Sequence, residues 1–177
     1  MFTDDFKADI VDRAQVVFNR LPGPEDLPHR QCLRWALATM LALNEQGIRA
    51  GINAGSASFL AVPPELDDGV SPTHLSFFWQ NEKHSVESVA ALNHLPEIHV
   101  WTVIPDHNLI VDISSQWMHI VAAECGIKWF MPPPAIMWGE LPGGWMYEPS
   151  VTACALAYQL AADILRIYND ETLRQTP

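Results

Sequence analysis

Basic side chains are scarce in this chain of 177 residues, which carries 10 Lys and Arg against 21 Asp and Glu. The net charge of −11 argues against nucleic acid as a partner, because phosphate binding needs clustered lysines and arginines. Cysteine is scarce as well. Three cysteines, an odd number without paired spacing, favour free thiols in a reducing cytoplasm over a disulfide framework.

Long hydrophobic runs and targeting segments are also missing. The longest apolar stretch, residues 151–168, carries Gln159, Asp163 and Arg166 along one stripe, which predicts an amphipathic helix and no membrane partner. The first residues have neither the basic nor the apolar region of a signal peptide. A hydrophobic content of 49% with 18% charged residues predicts a folded protein, and the length suits a single domain over residues 1–177.

Helices are predicted at each end of the chain and near residue 32. Apolar residues at helical spacing predict an amphipathic helix over residues 3–21. Residues 32–46 are almost all apolar at their start and middle, a composition typical of a buried helix. Ser150 is expected to cap the last helix.

Strands are predicted between these helices. Residues 48–53 and 58–62 are expected to form two short strands. Residues 98–104 and 109–114 are rich in β-branched side chains and predict a hairpin. Residues 105–108, Pro-Asp-His-Asn, are of the types that form its turn.

Two further segments follow the hairpin. Ser114 or Ser115 is expected to cap a helix that ends near Cys125. Residues 126–149, with five prolines and three tryptophans, predict a long irregular segment. The order of elements favours an α+β fold, with an antiparallel sheet packed on a central buried helix that carries Cys32.

Cys32 lies in the predicted first turn of its helix, where unpaired N–H groups and the helix dipole favour a thiolate. A cysteine nucleophile needs a base, and the base needs a group that orients it. His99 and Asp112 are candidates for these roles. If Ile104 pairs with Leu109, then Asp112 lies diagonally opposite His99 on the same face of the hairpin. A register shift of one residue would move Asp112 to the other face.

The residues around Cys32, His99 and Asp112 resemble those of a known superfamily. Gln31-Cys32 at a helix start, His99-Val100-Trp101 on one strand and Val111-Asp112 on the next resemble the core of the transglutaminase-like superfamily. That superfamily is related in fold to papain-like cysteine proteases and arylamine N-acetyltransferases. The resemblance covers about residues 28–116.

The resemblance implies a catalytic triad of Cys32 as nucleophile, His99 as general base and acid, and Asp112 as orienter. It implies a peptidase, amidase or acyl transferase that acts through a thioester on a peptide, a protein or a small amide or acyl substrate. No cofactor is implied. Gln31 and Trp101 are weaker candidates for contacts with the substrate or the oxyanion. A structural or solvent-facing role explains Gln31 at least as well, and a place in the core or in a pocket wall explains Trp101 better.

Two other functions stay open. Arg30 and Leu33 stand where the superfamily usually has glycine and tryptophan, which leaves room for a non-catalytic binding module on the same fold. A metal-dependent hydrolase is the second alternative. The seven histidines are dispersed and no zinc-type motif is present, so no metal site is predicted.

Overall fold

Helices packed on one sheet make up the described part of the computed structural model. The described residues are 2–23, 31–61, 73–77, 94–95, 98–118, 120, 136–139 and 146–175. Their helices are α1 (Asp4–Arg20), α2 (Cys32–Glu45) and α3 (Val151–Gln175). Their strands are β1 (Gly51–Ala61), β2 (Thr73–Phe77), β3 (His94–Leu95), β4 (His99–Ile104), β5 (Leu109–Asp112), β6 (Met137–Gly139) and β7 (Met146–Pro149). This combination of helices and a mainly antiparallel sheet confirms the predicted α+β class.

The three helices begin where the sequence predicts. The hydroxyl of Thr3 accepts a hydrogen bond from the N–H of Phe6 at 3.2 Å and caps α1. The hydroxyl of Ser150 accepts from the N–H of Ala153 at 3.4 Å at the start of α3. Gln31 precedes α2 and, within the described residues, its side chain makes no capping hydrogen bond. The start of α2 is therefore not closed by the side chain of the residue that precedes it.

The C-terminal helix α3 has the predicted amphipathic character. Ala153, Ala157 and Ala161 recur every four residues and are buried. Asp163 and Arg166, on the other side, form an exposed ion pair at 3.7 Å. Among the described residues, no helix is both long enough and apolar enough to cross a membrane.

Strand β1 joins the parts of the sheet, whose main path runs β3-β2-β1-β4-β5-β6. Gly55 pairs with His99 of β4 and with Pro149 of β7, and Ala57 pairs with Tyr147 of β7 and with β2. Strand β7 therefore lies along one edge of β1, while β4 and β2 share the other edge and curl the sheet. The β2–β3 pair is parallel, whereas an antiparallel sheet was expected.

Two predictions about the strands are wrong. Residues 51–61 form one continuous strand in place of the two predicted ones, because β1 is paired along both edges even where its residues are small. The predicted irregular segment, residues 126–149, contains β6 and β7. These strands are three and four residues long, too short for a recognisable period, and pairing with β5 and β1 holds them in place. The rest of that segment lies outside the described residues.

The chain after β5 also differs from the prediction. Ser114–Trp117 form a 3-10 turn. Both serines bond to Asp112, Ser114 through its hydroxyl to the carboxylate and Ser115 through its hydroxyl to the backbone carbonyl. Residues 118 and 120 are helical, and a capping role for either serine stays a prediction. Cys125, the expected end of that helix, lies outside the described residues.

Two clusters of buried side chains lie on opposite faces of β4. Side chains alternate along a strand, so Val100 and Ile104 pack among the helices, while Trp101 packs on the other face. The second cluster consists of Ala57, Trp101, Met118, Met137 and Tyr147. The hydroxyl of Thr102 donates to the carbonyl of Ala36 at 2.9 Å and fixes α2 along β4. This contact brings the first turn of α2 to the beginning of β4.

Candidate active site

The hairpin of β4 and β5 has the register that was predicted. Ile104 pairs with Leu109, after a turn in which Asn108 adopts a left-handed conformation with φ 51° that asparagine tolerates. As a result His99 and Asp112 meet, with Nε2 2.8 Å from Oδ2. Both residues are buried, with exposed fractions of 1% and 3%.

The carboxylate of Asp112 accepts hydrogen bonds from three residues. Its Oδ2 accepts from Nε2 of His99 at 2.8 Å and from the hydroxyl of Tyr147 at 2.7 Å. Its Oδ1 accepts from the backbone N–H and the hydroxyl of Ser114 at 2.9 and 2.6 Å. Each oxygen thus has two donors, which is the condition under which a buried carboxylate keeps its charge at a tolerable cost.

These contacts set the proton distribution of the pair. Burial alone would lower the pKa of His99, but the charge and hydrogen bond of Asp112, with smaller contributions from Cys32, raise that pKa to about 10. Burial would raise the pKa of Asp112, but His99, Ser114 and Tyr147 bring that pKa below its ordinary value. At neutral pH the pair is therefore an imidazolium bonded to a carboxylate.

Cys32 is the third residue of the site. It is the first residue of α2, it is half-buried, and its Sγ lies 3.7 Å from the carbonyl oxygen of Ile98, the residue before His99. A side-chain hydrogen bond and a charge interaction also join Cys32 to His99. The three residues predicted as a triad are thus in one series of contacts. Their catalytic roles stay a prediction.

Gln31 lies at the start of α2, and its side chain is bound to a residue of the same helix. Its amide oxygen accepts a hydrogen bond from Nη1 of Arg34, and Gln31 has an exposed fraction of 6%. Nη2 of Arg34 donates to the carbonyl of Phe18 at 2.8 Å, and the guanidinium lies 4.2 Å from the centroid of the Phe18 ring. Arg34 therefore joins the residue before Cys32 to α1, a contact that the sequence did not reveal.

Trp101 lies beside the triad on the face of β4 that carries His99. Its ring centroid is 6.0 Å from that of His99 and 5.0 Å from that of Tyr147. Together with Tyr147 and Pro149 it lines a pocket of about 600 Å³. In the structure Trp101 is therefore part of a pocket wall, and a contact with the oxyanion stays a prediction.

Sequence reasoning missed two donors to Asp112. Ser114 follows two positions after the aspartate, the spacing at which an Asp side chain commonly bonds a backbone N–H, so this donor had a local signal. Tyr147 is 35 residues away and lies in a short strand without a pattern, so it had none.

The other described cysteine has different surroundings. The thiol of Cys154, in the first turn of α3, donates to the carbonyl of Ala54 and accepts from the N–H of Ala54, both at 3.3 Å. These contacts to the backbone suit a structural residue. The described residues contain no group of three or more His, Cys, Asp or Glu that could hold a metal ion.

Comparisons with protein-family models, curated proteins and solved structures found no match to the chain. The interpretation of the site therefore depends on its own geometry.

Proposed function

We propose that this protein is a thiol-dependent enzyme that acts on amide or other acyl bonds of a peptide, a protein or a small molecule. The observation that carries the proposal is the contact of Cys32 with the buried His99–Asp112 pair. Cys32 also contacts Ile98, the residue before His99, which is 66 positions away in the sequence. A thiol, a base and an orienting acid in series are the parts of nucleophilic catalysis by cysteine. We also propose that α2 is the central helix of a papain-like or transglutaminase-like core.

In the proposal the reactive form of the site is a thiolate–imidazolium pair. With a pKa of about 10 the ring is charged at neutral pH, and in the proposal one of its protons comes from the thiol of Cys32. Because Nε2 bonds to Asp112, Nδ1 is the nitrogen that exchanges a proton with the thiol. The thiolate is the nucleophilic form of cysteine, so this pairing prepares the attack.

In the proposed first half-reaction the sulfur of Cys32 bonds to the carbonyl carbon of the substrate, and an electron pair moves to the carbonyl oxygen. The backbone N–H of Cys32, at the start of α2, stabilises the oxyanion. The bond to the leaving amine then breaks, and the amine nitrogen takes a proton from His99. The products are a free amine and a thioester on Cys32.

In the second half-reaction the neutral His99 removes a proton from water or from an acceptor amine. The oxygen or nitrogen attacks the thioester carbonyl, and the carbon–sulfur bond breaks to return the thiolate, while the proton stays on His99. Water as acceptor gives a peptidase or amidase, and an amine gives an acyl transferase. We propose the cytoplasm as the location, since a reducing compartment keeps a nucleophilic thiol free.

Acylation of the purified chain by p-nitrophenyl acetate tests the proposal. The expected result is an acetyl group on Cys32, found by peptide-resolved mass spectrometry, that is absent in Cys32→Ser and retained in Cys154→Ser. Iodoacetamide should also label Cys32 about 100-fold faster than Cys154 at about pH 6, because a free thiol has little thiolate there. Equal rates, or Cys32 labelling that rises only near about pH 8.5, would overturn the proposal and favour the non-catalytic binding module.

A further inference from the structure

The hydroxyl of Tyr147 shares one carboxylate oxygen with His99. Oδ2 of Asp112 lies 2.7 Å from this hydroxyl and 2.8 Å from Nε2 of His99. Two donors on one oxygen divide its negative charge, so each contact weakens the other. The oxygen that orients the imidazole is therefore a weaker acceptor than it would be with His99 alone.

Packing of the tyrosine ring does not explain its hydroxyl. The ring lies edge-on to Trp101, with centroids 5.0 Å apart, and is tilted against the His99 ring at 5.7 Å. Phenylalanine would fill the same space against these two rings. The hydroxyl adds a hydrogen bond to Asp112 that phenylalanine lacks.

The sheet holds this hydroxyl at a fixed position. Strand β7 approaches β1 so closely that a Cβ on Gly55 would lie 2.0 Å from the carbonyl oxygen of Glu148. The N–H of Ser150 donates to the carbonyl of Ala54 at 2.9 Å just after the strand. Gly55 also pairs with His99 on the other edge of β1. Gly55 therefore permits the close approach of the strand of the tyrosine to β1, which also pairs with the strand of the histidine.

The hydroxyl stays a donor at all ordinary pH values. Burial, then the charge and hydrogen bond of Asp112, raise the pKa of Tyr147 well above its ordinary value. Among the described residues, the titratable groups that meet in this cluster are Cys32 from α2, His99 from β4, Asp112 from β5 and Tyr147 from β7.

We propose that Tyr147 is a positioning residue of the triad, whose hydroxyl holds Asp112 Oδ2 in orientation and limits how tightly His99 keeps its proton. The inference rests on the proposed function, in which His99 must give that proton to the leaving amine. Without the hydroxyl, the full charge of Oδ2 acts on the imidazolium, and His99 releases its proton at a higher pH. If Tyr147 only held Asp112 in place, loss of its hydroxyl would have the opposite effect. Asp112 would then move more freely, and His99 would release its proton at a lower pH.

The test compares Tyr147→Phe with Tyr158→Phe. Tyr158 is a matched control, since its hydroxyl also makes a 2.8 Å hydrogen bond, to the carbonyl of Ile52 on β1. In Tyr147→Phe we expect the imidazole N–H resonance of His99 to move downfield. We also expect the alkaline transition in the Cys32 alkylation rate to rise by about half a pH unit. Neither should change in Tyr158→Phe.

A second variant keeps the inference testable if Tyr147→Phe does not fold. Incorporation of 3-fluorotyrosine at position 147 keeps the ring and makes the hydroxyl a stronger donor, so the N–H resonance should move upfield and the alkaline transition should fall. An unmoved resonance in both variants, or an upfield shift in Tyr147→Phe, overturns the inference. If the resonance shifts as expected but Cys32 labels no faster than Cys154 in the unmodified chain, the positioning role stands and the proposed function fails.

Discussion

The two described cysteines occupy similar positions and differ in what faces them. Cys32 and Cys154 are both half-buried, both lie in the first turn of a helix, and both thiols lie near a backbone carbonyl. Cys154 bonds to the backbone of Ala54, whereas Cys32 meets the charged His99–Asp112 pair. Position at a helix start is thus shared by both residues, and only the tertiary partner distinguishes a candidate nucleophile from a structural thiol.

Replacement of His99, the proposed base, should have the largest effect on the difference in alkylation rate between Cys32 and Cys154. In His99→Gln, which keeps an N–H donor for Asp112, the alkylation rate of Cys32 at about pH 6 should fall about 100-fold, to the level of Cys154, because the thiolate loses its cation. Peptide-resolved mass spectrometry measures both thiols in one sample. His107→Gln, on the exposed turn of the same hairpin, is the matched control and should leave both rates unchanged. A Cys32 rate that survives in His99→Gln would contradict the assigned pair.

Replacement of Asp112, the proposed orienting acid, should have the next largest effect. Asp112→Asn places an amide group among four donors, so we expect a loss of about 2 kcal/mol in the free energy of unfolding and about a tenfold slower Cys32 alkylation. Asp106→Asn is the control on the same hairpin, since its 3.9 Å ion pair with Arg49 is exposed and a change below about 0.5 kcal/mol is expected. Urea unfolding gives the first quantity. Equal losses in the two variants would show that Asp112 has no special role.

The charged pair also predicts how stability depends on pH. The pKa of His99 is raised from 6.5 to about 10, so its contribution to the free energy of unfolding is complete below pH 6.5 and is lost as pH rises toward 10. The slope cannot exceed about 1.4 kcal/mol per pH unit, the value for one proton. The pKa of Asp112 is lowered from 3.8, so its contribution is present above pH 3.8 and is lost as pH falls below it.

Urea unfolding at several pH values measures this dependence. His99→Gln should flatten the alkaline part of the curve, while His107→Gln should leave it as in the unmodified chain. An alkaline slope that persists in His99→Gln would mean that another group is responsible.

The smallest expected effect concerns the structural thiol. Cys154→Ala removes two weak hydrogen bonds to Ala54 and should cost about 1 kcal/mol of unfolding free energy, with no change in the alkylation of Cys32. Cys32→Ala should do the reverse: it abolishes acylation and changes stability by less than about 0.5 kcal/mol. If both variants lose stability to the same extent and acylation persists in Cys32→Ala, the two thiols are equivalent.

Local patterns were sufficient for α1, α2, α3 and the hairpin. Thr3 and Ser150 cap helices because short hydroxyl side chains satisfy N–H groups that lie within the same turn. The turn between β4 and β5 fixes the pairing of Ile104 with Leu109, and the alternation of side chains then brings Asp112 to His99. Each of these features depends on interactions between residues close in sequence, so the sequence by itself determined them.

The tertiary structure decided what is distant in sequence. Strand β7 has four residues and no period, and only pairing with β1 at Gly55 brings Tyr147 to the carboxylate of Asp112. The meeting of Cys32 with His99 depends on the packing of α2 along β4, which no local pattern encodes. The sequence therefore determined that a thiol lies at a helix start and that a His–Asp pair lies on a hairpin. Packing between elements decided that they share one site and that a tyrosine belongs to it.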